Sequence, residues 1–343
     1  MYGSCMSRQP LGRRPTTARM PMSLDAIYAP VRDDFERVNA QIHDQLNSRV
    51  PLVEHIGHYI VDSGGKRLRP LLVLLSAGAL GNGGQRQATL AAVIEFLHTA
   101  TLLHDDVVDT SELRRGRETA NARWGNAPSV LVGDFLYARA FQMMVRLENM
   151  RVMDLLSEAT GVIAEGEVLQ LTNVRNPDLS ETDYRNVIHS KTAMLFQAAS
   201  HSAAVLAQAD GATETALRDY GQHLGMAFQI VDDVLDYEGN AETMGKNVGD
   251  DLAEGKTTLP LIHAMAKGTP EDAATVRQAI RSGGPDQLGP VLAAVHNSGA
   301  IEYCRGRAAE EAEKARQCLE TLPGSPHRQA LYHLVDLAVQ RSD

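Results

Sequence analysis

The sequence is poor in cysteine, in long apolar runs and in positive charge, and each shortage argues against a class of protein. Its 343 residues include 3 cysteines and no Cys-x-x-Cys pair, which argues against a disulfide framework and favours a reducing compartment. The longest apolar run, residues 71–80, is interrupted by Ser76 and Gly78 and is too short to span a bilayer. Asp and Glu number 43 against 33 Lys and Arg, a net charge of −10 that argues against nucleic-acid binding as the main task. We therefore expect a cytoplasmic protein, peripheral to the membrane at most, with no transmembrane segment and no nucleic-acid partner.

Strand-like alternation of apolar and polar residues is also missing, whereas helical periodicity runs from Leu24 onward. Breaks rich in Gly, Pro and Asn divide this region into about a dozen helices joined by short loops. The predicted fold class is all-α, a helical bundle formed by a single domain at residues 23–343. Residues 1–22 contain no acidic residue and are rich in Arg and Pro. We expect them to be a disordered or non-native extension, followed by a helix that Ser23 caps.

Acidic residues are concentrated in two copies of one pattern, Asp-Asp-x-x-Asp, at residues 105–109 and 232–236. Each copy follows an apolar helical run. On a helix, the first and fifth positions share a face, so their carboxylates repel unless a cation neutralises them. Carboxylate oxygens favour a hard ion such as Mg²⁺, which keeps waters and binds phosphate oxygens through one or two carboxylates. Two facing copies predict a metal-bridged diphosphate site, although either copy alone could be a solvated acidic helix end.

Basic residues accompany the acidic patterns at two places. The segment 64–70, Gly-Gly-Lys-Arg-Leu-Arg-Pro, combines three cations with glycines that permit a backbone bend. Pro70 suits the first position of a helix, whose N-terminal amides would also favour an anion. The segment 113–117 carries three arginines directly after the first acidic pattern, and arginine forks match phosphate oxygens two at a time. Each segment alone could be an ordinary solvated turn, but together they indicate cations around a diphosphate.

These motifs resemble those of the trans-prenyl diphosphate synthases, in particular the bacterial enzymes that make the octaprenyl or nonaprenyl tail of quinones. Five regions of that family occur in order: GGKRLRP at 64–70, HTATLLHDDVVDTSELRRGRETAN at 98–121, the Lys191-Thr192 pair, FQIVDDVLDY at 228–237, and GKNVGDDLAEGKTTLPL at 245–261. The resemblance extends from about residue 23 to the C-terminus. It implies the isoprenoid-synthase helical bundle, with a central active-site cavity.

The resemblance also implies a reaction. An allylic diphosphate such as farnesyl diphosphate ionises, isopentenyl diphosphate attacks the resulting cation, and loss of a proton leaves a trans double bond before the cycle repeats. The expected product is an all-trans octaprenyl or nonaprenyl diphosphate, the precursor of a quinone side chain. The difficult step is charge separation, and metal ions and cations around the leaving diphosphate stabilise its growing charge. Two or three Mg²⁺ ions bridged by the allylic diphosphate are expected, and the leaving diphosphate is expected to accept the proton.

The family pattern assigns a role to each matching residue. The expected Mg²⁺ ligands are Asp105, Asp106, Asp109, Asp232 and Asp236, with Asp233 acting through metal-bound water. The allylic diphosphate is expected to be held by Arg114, Lys191, Lys246 and Lys256. Isopentenyl diphosphate is expected to bind Lys66, Arg69, His98 and Arg115. Thr192 and Gln229 are expected to lie beside the carbocation, where oxygen dipoles stabilise positive charge.

Product length is expected to be set on the helix that leads into Asp105. Counting back by helical turns places Leu97, Ala100 and Thr101 near one face, along which the growing chain would run. Ala100 and Thr101 are small, so the tunnel is expected to be open below the metal site and closed deeper, on the segment 130–144. The family forms homodimers, and we expect one here.

Three other functions share some of these motifs. The His104-Asp105 pair would suit a metal-dependent phosphohydrolase, but the distant His and Asp partners it needs have no clear spacing. A terpene cyclase also uses the first acidic pattern, but its second metal motif is usually of an Asn/Ser/Glu type. A non-catalytic subunit of a heteromeric synthase typically loses the acidic patterns, and this chain keeps both.

Overall fold

The structure, a computed structural model, describes residues 24–238, 248–283 and 287–341. Residues 1–22 with Ser23, and Lys246, lie outside the described residues. The first helices are α1 (Leu24–Tyr28), α2 (Arg32–Gln45), α3 (Pro51–Val61), α4 (Leu68–Ala79), α5 (Gln85–Val108), α6 (Ala120–Trp124), α7 (Asn126–Arg146) and α8 (Met150–Thr172). The remainder are α9 (Glu181–Ile188), α10 (Met194–Leu206), α11 (Gly211–Glu238), α12 (Asp250–Ala253), α13 (Leu259–Lys267), α14 (Pro270–Ser282), α15 (Leu288–Asn297), α16 (Ala300–Cys318) and α17 (Pro326–Gln340). The all-α expectation is confirmed.

Two apolar clusters meet along the long helix α11. The larger cluster draws on α2, α4, α5, α7, α8, α10, α17 and the first half of α11. The smaller cluster draws on α9, α13 to α16 and the second half of α11. Tyr220 and Leu224 of α11 pack in the larger cluster, whereas Ile230 and Val234 pack in the smaller one. Both clusters pack against α11. The second acidic pattern, in the last turns of α11, is therefore held on a rigid element.

None of the helices within the described ranges combines the length and the apolar composition that crossing a membrane requires.

The start of α4 differs from the expectation for Pro70. The helix begins at Leu68, so Pro70 is its third residue rather than its first. The reason is Arg67, which adopts the left-handed conformation with φ 38°. Its carbonyl accepts a hydrogen bond from the backbone N–H of Leu71 at 3.2 Å. Pro70 remains in the first turn, where a missing N–H leaves no helical bond unmade.

Two irregular features carry motif residues. Strands β1 (Leu113–Arg114) and β2 (Arg117–Glu118) form an antiparallel hairpin after the first acidic pattern. Its turn places Arg115 and Gly116 at φ 53° and 72°, the positive values that tight hairpin turns require. A π-helical turn, His189–Ala193, joins α9 to α10 and contains the Lys191-Thr192 pair. Such wider turns often mark functional sites in otherwise regular helices.

Candidate active site

A cavity of about 480 Å³ is enclosed by α5, the hairpin, the π-helical turn, α11 and the segment 250–258. Its wall contains most of the residues that the sequence predicts for the site: Arg69, His98, Thr101, Asp105, Asp109, Arg114, Arg115, Lys191, Thr192, Gln229, Asp232, Asp233 and Lys256. The described residues Lys66, Leu97, Ala100, Asp106 and Asp236 do not line it. The fold therefore brings the two acidic patterns and both basic segments to one chamber.

The first acidic pattern occupies the last turn of α5 and its C-cap. Asp105 and Asp109 lie one turn apart and line the cavity, each with 16% of its side chain exposed. Asp106 points into the protein, where Arg114 Nε donates to its Oδ1 at 2.8 Å. The other oxygen of Asp106, Oδ2, has no hydrogen-bond partner among the described residues. The turn thus separates two carboxylates that face the cavity from one that positions an arginine, and Asp106 as a Mg²⁺ ligand stays a prediction.

The second acidic pattern lies in the last turns of α11. Asp232 has 39% of its side chain exposed and accepts a hydrogen bond from Arg341 Nη2 at 3.0 Å. The Arg341 guanidinium lies 3.8 Å above the ring of Phe228, so the chain's last helical segment is held against the cavity rim. Asp236 is fully buried, and its Oδ2 accepts the backbone N–H of Asp251 at 3.3 Å. Asp232 is therefore the member of this pattern most exposed to the cavity.

The middle carboxylate of the second pattern belongs to a hydrogen-bond chain. Asp233 Oδ2 accepts the hydroxyl of Tyr184 at 2.5 Å, and its Oδ1 accepts Gln229 Nε2 at 2.7 Å. Gln229 Oε1 in turn accepts the hydroxyl of Thr192 at 2.8 Å. Burial, followed by the charge of Asp251, raises the pKa of the Asp233 carboxyl. The two residues expected beside the carbocation are therefore linked to the second acidic pattern.

Two lysines of the cavity wall lie close to carboxylates of the first acidic pattern. Lys191 Nζ lies 2.7 Å from Glu167 Oε2 and 3.7 Å from Asp105 Oδ2. Lys256 Nζ lies 2.8 Å from Asp109 Oδ2. Both lysines are mostly buried, and both face the position where a diphosphate bound to the aspartates would lie. They can exchange a carboxylate partner for a phosphate oxygen without leaving the site.

The charges on the cavity wall fit divalent metal ions. Eight carboxylates and six Lys or Arg side chains line it, so an entering diphosphate would meet excess negative charge. Burial raises the pKa of Asp105 and of Glu167, so their charged forms lack sufficient counter-charge. An all-oxygen donor set of this kind suits Mg²⁺. No three acidic or histidine side chains converge on one point within the described ranges, so water and diphosphate oxygens would complete the coordination.

Arg69 and His98 form a second group in the cavity wall. Arg69 Nη1 is 3.1 Å from His98 Nε2, and its guanidinium carbon lies 4.4 Å above the ring of Phe196. Burial lowers the pKa of Arg69 to about 10. Burial, followed by the charge of Arg69, lowers the pKa of His98 well below its usual range. The imidazole is therefore neutral and accepts at Nε2, because a guanidinium only donates.

The glycines of segment 64–70 make room for Arg115. Its Nη1 donates to the carbonyl of Gly64, and a Cβ on Gly65 would overlap the same nitrogen. Both glycines have positive φ, 83° and 132°, so a side chain at either would also strain the backbone. Lys66 accepts the Tyr28 hydroxyl through its carbonyl. Segment 64–70 and the hairpin therefore meet in one basic corner, with Lys66 at its margin, and binding of isopentenyl diphosphate there stays a prediction.

The residues expected to set product length divide between two layers. Thr101 lines the cavity, whereas Ala100 and Leu97 are buried in the apolar core behind it. One turn after Ala100, His104 Nε2 lies 3.2 Å from the carbonyl oxygen of Val130 on α7. Ala100 therefore lies on the face of α5 directed at α7, and its role in product length stays a prediction.

Several polar residues of the wall were not predicted from the sequence: Glu167, Tyr184, Asp250, Asp251, Glu254 and Arg341. A local signal existed for the Asp250-Asp251 pair, which lies within the family region 245–261. Glu167, Tyr184 and Arg341 have none, because each comes from a distant helix or the chain end and only packing brings it to the cavity.

An all-helical bundle that gathers two aspartate patterns and two groups of cations in one cavity is an enzyme built for diphosphate chemistry. The sequence model of the family described as Polyprenyl synthetase matches residues 50–296, and the chain belongs to that family. It is 55% identical to the octaprenyl diphosphate synthase of Escherichia coli (strain K12), over 93% of this chain and 99% of that protein. It is 52% identical to the all-trans-nonaprenyl-diphosphate synthase (geranyl-diphosphate specific) of Rhodobacter capsulatus, over 92% of this chain and 97% of that protein.

The fold is likewise similar to a solved structure. A polyprenyl synthase from Caulobacter crescentus CB15, complexed with calcium and isoprenyl diphosphate, matches with a TM-score of 0.91 and 45% identity. The match covers 95% of this chain and 100% of that one. The expected family, fold class and enzyme class are thereby confirmed: the protein is a prenyltransferase.

Proposed function

We propose that this prenyltransferase condenses an allylic diphosphate with successive isopentenyl diphosphates, in the presence of Mg²⁺, to make an all-trans octaprenyl or nonaprenyl diphosphate. The observation that carries the proposal is the meeting of both acidic patterns and both cation groups in one cavity. The names of the relatives at 55% and 52% identity favour a long chain of this length. Such a chain suits the apolar tail of a quinone. A cytoplasmic location, with delivery of the product at the membrane, belongs to the same proposal.

Each group of residues has a distinct task in the proposed reaction. Asp105, Asp109 and Asp232 would hold two or three Mg²⁺ ions, with Asp106 and Asp236 behind them. Bound Mg²⁺ supplies electrostatic stabilisation of the leaving diphosphate. The allylic diphosphate is clamped by Arg114, Lys191, Lys256 and Lys246. The oxygens of Thr192 and Gln229 stabilise positive charge on the allylic carbon. The leaving diphosphate takes the proton, so no protein base is assigned.

The direct test is incubation of the purified protein with farnesyl diphosphate, labelled isopentenyl diphosphate and Mg²⁺, followed by chromatography of the product. We expect a single long polyprenyl diphosphate, and no product when a chelator removes Mg²⁺. Release of phosphate without condensation would indicate a phosphohydrolase. A cyclic hydrocarbon would indicate a terpene cyclase, and complete inactivity would indicate a non-catalytic subunit.

Arg115→Ala is expected to raise KM for isopentenyl diphosphate about 10-fold or more, with a smaller fall in kcat. The guanidinium lies against Gly65 in the basic corner, where we place the diphosphate that does not ionise. A contact of equal strength in ground and transition states changes binding without changing the chemical step. Initial rates over a range of each substrate measure the effect.

The matched control is Arg117→Ala in the same hairpin. Arg117 stacks 4.5 Å above the Tyr59 ring and does not line the cavity. The Arg117→Ala variant should therefore keep KM values for both substrates near those of the unchanged protein. A rise confined to KM for the allylic substrate would contradict the assignment of Arg115.

A homodimer is part of the proposal. Large apolar side chains remain exposed on neighbouring helices: Leu131 at 65%, Val145 at 63% and Met150 at 77%. Large apolar side chains left exposed on adjoining helices are typical of an interface between subunits. Light scattering at micromolar concentration should report twice the protomer mass of 37.3 kDa. Leu131→Glu should shift the mass toward the monomer, whereas Ala309→Glu on the exposed face of α16 should not. A monomeric unchanged protein would refute this part of the proposal.

A further inference from the structure

Four residues form a continuous hydrogen-bonded chain along one side of the cavity. It runs from the Tyr184 hydroxyl to Asp233, from Asp233 to the amide of Gln229, and from there to the hydroxyl of Thr192, with distances of 2.5, 2.7 and 2.8 Å. We propose that Tyr184 is a positioning residue for the ionisation step, which holds Asp233 so that Gln229 must present its carbonyl oxygen to the allylic cation. This inference rests on the proposed condensation reaction.

The direction of the Gln229 amide follows from the chemistry of its neighbours. Asp233 Oδ1 accepts from Gln229 Nε2 whether the carboxyl group is ionised or carries a proton on Oδ2, so the NH₂ end of Gln229 faces Asp233 Oδ1. The carbonyl end therefore faces Thr192 and the cavity. That end carries partial negative charge, which stabilises a nearby cation. A flipped amide would turn partial positive charge toward the same point.

Tyr184 prevents that flip by fixing the carboxylate. Its hydroxyl occupies Asp233 Oδ2, and the tyrosine is 2% exposed, so water has little access to replace it. With Oδ2 engaged by Tyr184 and Oδ1 by Gln229, Asp233 has both oxygens committed to positioning. Without the hydroxyl, the carboxylate loses one of its two fixed donors and can rotate away from Gln229.

The helix that carries Tyr184 is itself anchored. On α9, Glu181 Oε2 accepts the hydroxyl of Tyr303 at 2.7 Å, and Arg185 Nη2 lies 2.5 Å from Glu311 Oε1. Tyr303 and Glu311 both belong to α16. Tyr184 therefore projects from a helix that polar contacts tie to α16 on either side of it, which gives its hydroxyl a fixed position.

Tyr184→Phe tests the inference, because it removes only the hydroxyl. We expect kcat to fall about 10-fold, the loss typical of one hydrogen bond realised in the transition state. KM for farnesyl diphosphate and the Kd for farnesyl thiolodiphosphate, an analogue that ionises far more slowly, should stay within about 2-fold. In a Gln229→Ala background the same change should have no further effect, since Tyr184 acts through Gln229.

The matched control is Tyr220→Phe. Tyr220 is also fully buried, and its hydroxyl donates to the Leu331 carbonyl at 2.8 Å in the larger cluster. The Tyr220→Phe variant should lose about as much folding stability as Tyr184→Phe and keep the kcat of the unchanged protein. An unchanged kcat in Tyr184→Phe, a loss of analogue affinity equal to the loss of kcat, or an additive loss in the double variant would each overturn the inference.

A second variant guards against misfolding of Tyr184→Phe. Asp233→Asn keeps the size of the side chain but replaces one of its two accepting oxygens with an NH₂ group, so the side chain no longer accepts from both Tyr184 and Gln229 and holds the Gln229 amide less firmly. We expect the same fall in kcat with retained Mg²⁺-dependent binding of farnesyl thiolodiphosphate; lost binding would overturn the positioning role. Failure of the unchanged protein to condense its substrates would instead refute the proposed function, so the two failures are distinguishable.

Discussion

Asp105→Asn is expected to lower kcat for condensation at saturating Mg²⁺ by about 10²-fold or more. Asp105 faces the cavity one turn from Asp109 and within 3.7 Å of Lys191, where the leaving diphosphate would gain charge. The amide keeps the shape of the side chain but cannot neutralise a metal ion, so stabilisation of the transition state is lost. Single-turnover rates with farnesyl diphosphate and isopentenyl diphosphate measure the effect.

The same substitution should leave the melting temperature without Mg²⁺ unchanged or slightly higher. Burial raises the pKa of Asp105, so the group contributes stability at low pH that is lost as the pH rises through its folded-state pKa. At neutral pH the charged form is therefore a cost, which a neutral amide removes. Asp134→Asn is the control, because Asp134 is 62% exposed on α7 and does not line the cavity. Near-normal turnover in Asp105→Asn would rule out its role as a metal ligand.

Ala100→Phe is expected to retain condensation but to stop elongation at about three or four isoprene units. Each turn of α5 rises about 5.4 Å, close to the length of one isoprene unit, so a block near the metal site limits the product to a few units. Ala100 is buried beside the cavity-lining Thr101, on the face of α5 directed at α7. A ring at this level would block the path of the growing chain without touching the carboxylates. Chromatography of products primed with geranyl diphosphate measures the length.

A graded series provides the control for Ala100→Phe. Ala100→Val and Ala100→Leu should give products of intermediate length, because the available depth falls as side-chain volume rises. Overpacking alone would lower stability and total turnover without shifting product length. A full-length product from the Phe variant would place the tunnel elsewhere.

The sequence by itself determined the elements and the chemical class. Helical periodicity with Gly and Pro breaks predicted the all-α bundle, since amphipathic spacing is a local property. The paired Asp-Asp-x-x-Asp patterns and segments 64–70 and 113–117 predicted a cavity for metal and diphosphate, because their residue types carry that chemistry wherever they converge. The start of α4 was misplaced by two residues, because the left-handed conformation of Arg67 has no signature in residue type.

Only the tertiary structure decided how each residue takes part. Helical spacing puts Asp105 and Asp109 on one face. The fold then brings Arg114 of the hairpin to the buried Asp106, to which it donates a hydrogen bond. The sequence gives no sign that Lys191 meets Glu167, or that Tyr184 holds Asp233, 49 positions away. Such contacts join side chains from helices far apart in the chain, and their positions follow from how the two apolar clusters pack around α11. Residue type fixes which partners a group can accept, and packing alone fixes which partner lies within reach.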